Sequence, residues 1–118
     1  MGNIVYEKSF AYSVEIVRLA KNLAKSHDYE LARQLIRSGT SIGANIAESE
    51  YAQSDQDFIS KLSITLKEAA ESRYWLHLLT ETKDITSEDS EKMTKQVEEI
   101  IKILAASIKT KKEKIIKK

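Results

Sequence analysis

The sequence predicts an all-α protein, an antiparallel up-down four-helix bundle, and three observations predict it. The chain of 118 residues has no proline and only three glycines, so little in it interrupts a long helix. Four segments repeat apolar residues at spacings of three and four, and none alternates as a strand does. The joins between them are short and rich in capping residues, an arrangement that consecutive antiparallel helices satisfy most economically. The length fits one domain, residues 1–118, ending in a basic tail at 109–118.

Residues 1–8 read as a lead-in, and helix one is expected from Ser9, a candidate N-cap, to Lys25. It carries two neighbouring apolar stripes: Phe10, Val14, Val17, Ala20 and Ala24, and Tyr12, Ile16, Leu19 and Leu23. Together they are wider than one packing partner needs, which points to self-association. Ser26-His27-Asp28 breaks the pattern, and helix two follows from Tyr29 to Ser49. Its segment Gly39-Thr40-Ser41 is a poor helix former, so the helix either bends there or packs where only glycine fits; close packing with some bending is expected. Ser54 or Asp55 is placed to cap helix three, from Asp55 to Thr82, with a stripe of Phe58, Leu62, Leu66, Ala69, Arg73 and Leu76. The run Thr86-Ser87-Glu88-Asp89 offers the cap of helix four, which runs from Ser87 to Lys111 or beyond with Val97, Ile101, Leu104 and Ile108 as its seam.

Composition excludes several classes of function. There is no cysteine, hence no disulfide framework or thiolate metal site, which suits a reducing cytoplasm. No segment approaches a membrane span of about 18 apolar residues, and no membrane partner is expected. The net charge of +1 hides an asymmetry: residues 109–118 hold six lysines and one glutamate, so the remainder is acidic. Any contact with a polyanion is therefore local.

Helix two holds the most distinctive pattern. Leu31, Leu35, Ile42 and Ile46 form an apolar stripe; Ala32, Ile36, Gly39, Gly43 and Ala47 form one of mostly small side chains. A third, polar row comprises Gln34, Ser38, Ser41, Asn45 and Glu48. Serine and asparagine are weak choices for a freely exposed helix face and suit a close, hydrogen-bonded contact. An inter-helix or subunit contact is the expectation; a solvated face and a small-molecule site are the alternatives. Glu48, Glu68 and Glu71 with Arg37 and Arg73 can join the row through ion pairs.

No catalytic or metal constellation is evident. A carboxylate-bridged metal pair in a helical bundle needs Glu-x-x-His on two helices, and His77 has Tyr74 three positions before it. The hydroxyls of Ser38, Thr40 and Ser41 have no histidine near in sequence. Neither an enzyme activity nor a cofactor is expected. The candidates for phosphate contact are Arg33, Arg37 and the tail lysines Lys109, Lys111, Lys112, Lys114, Lys117 and Lys118. A solvated helix end, its lysines opposing the negative end of the dipole, is the alternative for the tail, as is contact with a protein or membrane.

The stretches KSFAYSVEIVRLAKNL, QLIRSGTSIGANIAE and SDQDFISKLSITLKEAAESRYWLHLL resemble the four-helix-bundle proteins of intervening sequences in bacterial 23S ribosomal RNA genes. The resemblance covers nearly the whole length. The chain departs from the family pattern at Gly43, where much of the family has proline, and at Ser49, where it has glycine. The resemblance implies a ring-like homopentamer of antiparallel bundles and no catalysis. A related branch, the accessory proteins of diversity-generating retroelements, implies binding of RNA or DNA and of a reverse transcriptase. The function expected is that of a non-enzymatic homo-oligomer associated with nucleic acid; the alternative is a protein–protein scaffold with no nucleic-acid role.

Overall fold

In the structure, a computed structural model that describes residues 2–117, four helices follow one another: α1 (Gly2–Lys25), α2 (Tyr29–Ser49), α3 (Asp55–Glu81) and α4 (Ser87–Lys117). No strand occurs among the described residues. Each helix packs on its neighbours in the chain, and α1 also packs on α4, which leaves α1 and α3 facing each other across a diagonal. The resulting rod measures 53 × 22 × 20 Å.

Helix α1 starts earlier than its capping pattern suggests. Ser9 is not an N-cap: it is buried inside the helix, and its hydroxyl donates to the Tyr6 carbonyl at 2.8 Å. The physical reason is the core stripe Val5, Ser9, Tyr12, Ile16, Leu19 and Leu23, all buried, which begins before Ser9 and anchors the first turns. Of the two apolar stripes on this helix, this one fills the core. Phe10 and Val14 on the other are 58% and 37% exposed.

The other helices meet the core along Leu35, Ile42 and Ile46 from α2, Leu62, Ala69, Leu76 and Leu79 from α3, and Met93, Val97, Ile100 and Leu104 from α4. Each large aliphatic side chain contributes about 1.5–3 kcal/mol by burial. Two expected stripes hold at Leu62, Ala69 and Leu76 and at Val97, Leu104 and Ile108, and each departs by one residue at another position. On α3 the buried row passes through Ser72, while Arg73 faces solvent; on α4 Ile100 is buried and Ile101 only half-buried.

Small hydroxyl residues sit at core positions because their own helix satisfies them. Ser38 donates to the Leu35 carbonyl, Ser49 to Ile46 and Thr65 to Lys61. Ser72 differs, meeting the Tyr12 hydroxyl at 2.6 Å across the bundle diagonal. Burial pushes the Tyr12 hydroxyl well above its ordinary range, while the Ser72 bond pulls it down.

Helix α2 runs unbroken through Gly39-Thr40-Ser41. A methyl group at Gly39 would stand 2.7 and 2.8 Å from two side-chain carbons of Ile16, so the close-packing expectation holds there. At Gly43 the nearest atoms, the hydroxyls of Ser13 and Ser9, are 3.5 and 3.6 Å away, an ordinary contact.

The α1–α2 and α3–α4 turns are built alike. His27 and Lys83 both adopt φ of 63°, a left-handed conformation that glycine usually supplies. In each, two amides bond back to the preceding helix: Asp28 to Leu23 and His27 to Ala24, then Asp84 to Leu79 and Lys83 to Thr80. Ser54 caps α3 by accepting from the Asp57 amide, and Thr86 caps α4 by accepting from Asp89. Asp28 stands at the start of α2 without a side-chain cap bond.

These contacts generate two expectations. Gly39→Ala should lose about 1–2 kcal/mol in urea unfolding, because overpacking against Ile16 exceeds the helix-propensity gain; Gly43→Ala should gain up to about 1 kcal/mol. Equal effects at both sites would contradict the notch at Gly39. Tyr12 stays neutral in the fold while the unfolded chain ionises, so wild-type stability should be flat below pH of about 10 and fall above it. A Tyr12→Phe variant should be less stable by about 1–2 kcal/mol at neutral pH and show a smaller alkaline loss.

Candidate functional site

The polar row of α2 spans several environments. Ser38 is buried, Gln34, Ser41 and Asn45 are half-buried, and Glu48 is exposed. Their hydrogen bonds run along α2 itself: Ser41 donates to the Ser38 carbonyl at 3.0 Å, and the Asn45 amide to the Ser41 carbonyl at 2.9 Å. Gln34 donates to Glu30 at 3.3 Å and accepts from Arg37 Nε at 3.4 Å. Within this one chain, none of the five bonds directly to another helix among the described residues.

Arg37 makes the crossing instead. Its guanidinium meets Glu68 at 3.3 Å and also pairs with Glu71, both on α3. Glu71 in turn accepts from the indole N–H of Trp75 at 3.1 Å. A carboxylate facing both a guanidinium and an indole donor is well satisfied, so this cluster ties α2 to α3 at the surface. Glu48 and Arg73, also considered for this network, make no ion pair among the described residues.

The phosphate-contact candidates divide into two groups. Arg33 is exposed and pairs with Glu30 at 3.1 Å on its own helix, and Arg37 is held as described. The tail residues lie at the far end of α4, which stays helical to Lys117. Lys109, Lys112, Lys114 and Lys117 are exposed there. Lys111 is committed elsewhere: it meets Asp55 at 3.1 Å and lies 5.2 Å from the centre of the Phe58 ring. Lys118 lies outside the described residues. Asp55 and Glu71 stand sixteen positions apart on α3, about 24 Å of helix, so the arginines and the tail form separate patches.

Two shallow surfaces could receive partners. On the outer side of α1 and α2, Tyr6, Phe10, Ser13, Thr40, Gly43, Ala44 and Ala47 line a hollow of about 270 Å³. The rings of Tyr6 and Phe10 stack at 6.3 Å, and Ile36 is 40% exposed further along α2. The broad stripe of helix one was the sequence signal for this face. A second groove, of about 430 Å³, lies where the start of α3 meets the end of α4. Nothing in the hydrophobic periodicity signalled it, because it depends on where the helices end relative to one another.

Among the described residues, no group of three or more His or acidic side chains is placed to hold a metal. His27 lies in a turn with its ring 3.1 Å from the Tyr29 hydroxyl, and His77 is an exposed neighbour of Glu81 at 3.8 Å. Among the described residues no helix is long and apolar enough to cross a membrane. What the fold and its surfaces define is a four-helix-bundle protein with charged and apolar contact faces.

The chain belongs to the 23S rRNA-intervening sequence protein family, whose model matches residues 1–106. A similar solved structure is described as a protein with unknown function from the S23 ribosomal protein family of Bacteroides thetaiotaomicron VPI-5482. It is 48% identical, with a TM-score of 0.88, over 90% of this chain and 99% of that one. No curated protein matches the chain.

The Arg37 cluster is half-exposed, so its worth is modest and sensitive to salt. Arg37→Met should cost about 0.5–1 kcal/mol in thermal unfolding at low ionic strength, with most of the difference gone at about 1 M salt. A loss that persists unchanged at high salt would mean the side chain acts by packing rather than by charge.

Proposed function

We propose that this protein is a non-enzymatic, cytoplasmic, self-associating helical bundle that attaches to nucleic acid through the lysines at the end of α4. The observation that carries the reading is that α4 remains helical to Lys117 while Lys109, Lys112, Lys114 and Lys117 stand exposed. Each exposed lysine can make a sequence-independent phosphate contact that weakens with salt. Arg33 and Arg37 form a second, weaker patch, since acidic side chains already offset their charge.

Self-association is supported by the exposed Tyr6, Phe10, Val14 and Ile36 on the outer side of α1 and α2. The family resemblance suggests a ring-like homopentamer of antiparallel bundles. Pairings at opposite ends of α3 and α4, Thr80 with Ser90 and Asp55 with Lys111, support the antiparallel course. Ringed assembly would multiply the tails, so weak phosphate contacts would add through avidity. A reverse transcriptase is the protein partner that the resemblance suggests. The competing reading is a scaffold that recruits only protein, and the same apolar face favours it.

Fluorescence anisotropy with labelled single-stranded RNA across a salt series tests the first reading. The full chain should bind with a linear log–log salt dependence; reversing Lys109, Lys112, Lys114 and Lys117 to Glu should weaken binding by roughly tenfold or more and flatten the slope. No binding by the full chain even at low salt would sink the nucleic-acid reading and leave the scaffold. Sedimentation velocity tests the assembly: Phe10→Asp should yield a smaller species than wild type, and an unchanged size would remove the α1–α2 face from the interface.

A further inference from the structure

Arg73 is the one arginine without an ion pair among the described residues. Arg18 pairs with Glu15 at 3.3 Å, Arg33 with Glu30 at 3.1 Å, and Arg37 with Glu68 and Glu71. The sequence around Arg73 explains the difference: three and four positions away on its own helix stand Ala69, Ala70, Leu76 and His77, none of them acidic. Its side chain lines a hollow of about 440 Å³ along the α3–α4 seam, a volume in the range of small-molecule sites. The seam is closed at one end of this hollow, where the Thr80 and Ser90 hydroxyls meet at 2.6 Å. Further along the seam Asp55 meets Lys111, so each step up α4 from Ser90 is a step back along α3 from Thr80. His77 therefore stands opposite Thr94, and Arg73 opposite Glu98, all four lining the hollow. Neither facing pair is joined. Among the described residues Glu98 has no ion pair and the Thr94 hydroxyl no hydrogen bond, while His77 reaches only Glu81, at 3.8 Å.

We propose that this hollow binds a free α-amino acid with a side chain of glutamine's length, its carboxylate held by Arg73 and its ammonium by Glu98. A guanidinium and a carboxylate facing each other across a gap complement a molecule that carries both opposite charges on one carbon, and each contact is a charge-assisted hydrogen bond. A simple anion would set like charge against Glu98, and a simple cation would do the same to Arg73. The second facing pair lies four residues further along each helix, about 6 Å away. That distance suits a side chain ending in an amide, which can accept from the His77 ring and donate to the Thr94 hydroxyl. Beyond it the bonded pair of Thr80 and Ser90 limits the length of the ligand. Ala70, at the other end, has no long side chain to bar entry. Tyr74 completes the wall beside Arg73 with its ring edge-on to Trp75 at 5.3 Å, and Trp75 is tied through its indole to Glu71. Glu98 and Lys109 stand eleven positions apart on α4, about 16 Å, so the hollow does not depend on the lysines beyond it.

Ligand-observed nuclear magnetic resonance with the full chain tests this, using L-glutamine and two relatives that each lack one charge. Glutaramate has no ammonium, and 4-aminobutanamide has no carboxylate. L-Glutamine should bind, and each relative should bind at least roughly tenfold more weakly. Arg73→Gln and Glu98→Gln should each weaken L-glutamine by roughly tenfold or more, and Thr94→Val several-fold. Arg18→Gln, which removes an arginine remote from the hollow, should leave binding unchanged. Arg73 and Glu98 are both exposed, so circular dichroism of their variants should show an intact bundle. Absence of L-glutamine binding would overturn the proposal and leave Arg73 and Glu98 as solvated surface charges. Equal binding of glutaramate would make the hollow an anion site, and equal binding of 4-aminobutanamide a cation site; either result overturns it. Indifference to Arg73→Gln or to Glu98→Gln would do the same, by placing the amino acid elsewhere on the molecule.

Discussion

The fit of Ile16 into the notch left by Gly39 sets the spacing on which the rest of the bundle depends. A side chain at position 39 would push α1 from α2, and every contact keyed to that separation would shift with it. The approach continues one turn on, where Ser9 and Ser13 lie against Gly43. It also brings Tyr12 to the depth at which its hydroxyl reaches Ser72 on the diagonal helix. Close-packed interiors transmit such a displacement rather than absorb it. One missing β-carbon thus couples three of the four helices.

The four helices were legible in the chain because periodicity and capping agree over long stretches without proline. The errors have specific causes. Ser9 has the chemistry of a cap, but a helix hides a serine equally well by bonding its hydroxyl to a carbonyl of the previous turn. The same mechanism puts Ser38, Ser49 and Thr65 in the core, and the Tyr12 hydroxyl satisfies Ser72 there, where a hydrophobic count does not look for them. Counting apolar residues along α3 therefore led through exposed Arg73 and past buried Ser72. The candidate site was legible in composition but not in arrangement. Lysines and small residues can be counted in a sequence, whereas the pairing of Arg37 with Glu68 and Glu71, and the cover of Lys111 over Phe58, depend on which helices meet and at what height.

The surface divides its charged groups between two tasks. Lys8, Lys92, Arg37 and Lys111 each pair with a carboxylate on another helix and act as ties along the seams of the bundle. Other lysines stay outward without an ion pair among the described residues: Lys21, Lys25, Lys67, Lys83, Lys95 and Lys102 along the body, and Lys109, Lys112, Lys114 and Lys117 toward the end of α4. Individually the surface ties are weak, on the order of 1 kcal/mol or less. Their collective effect is to fix a few side chains across the seams, while the density of lysine in residues 109–118 comes from the sequence itself.

The matching left-handed turns at His27 and Lys83 have a consequence for how the molecule reaches its shape. Each closes a helical hairpin with purely local contacts, α1 with α2 and α3 with α4. The link between the hairpins, residues 50–54, contains neither a left-handed residue nor a glycine. Folding in two quick local closures followed by a single docking event follows from that layout, since short-range contacts form fastest. The same layout makes the hairpin the natural unit of exchange between neighbouring copies: straightening one link would let two chains trade halves while keeping every core contact.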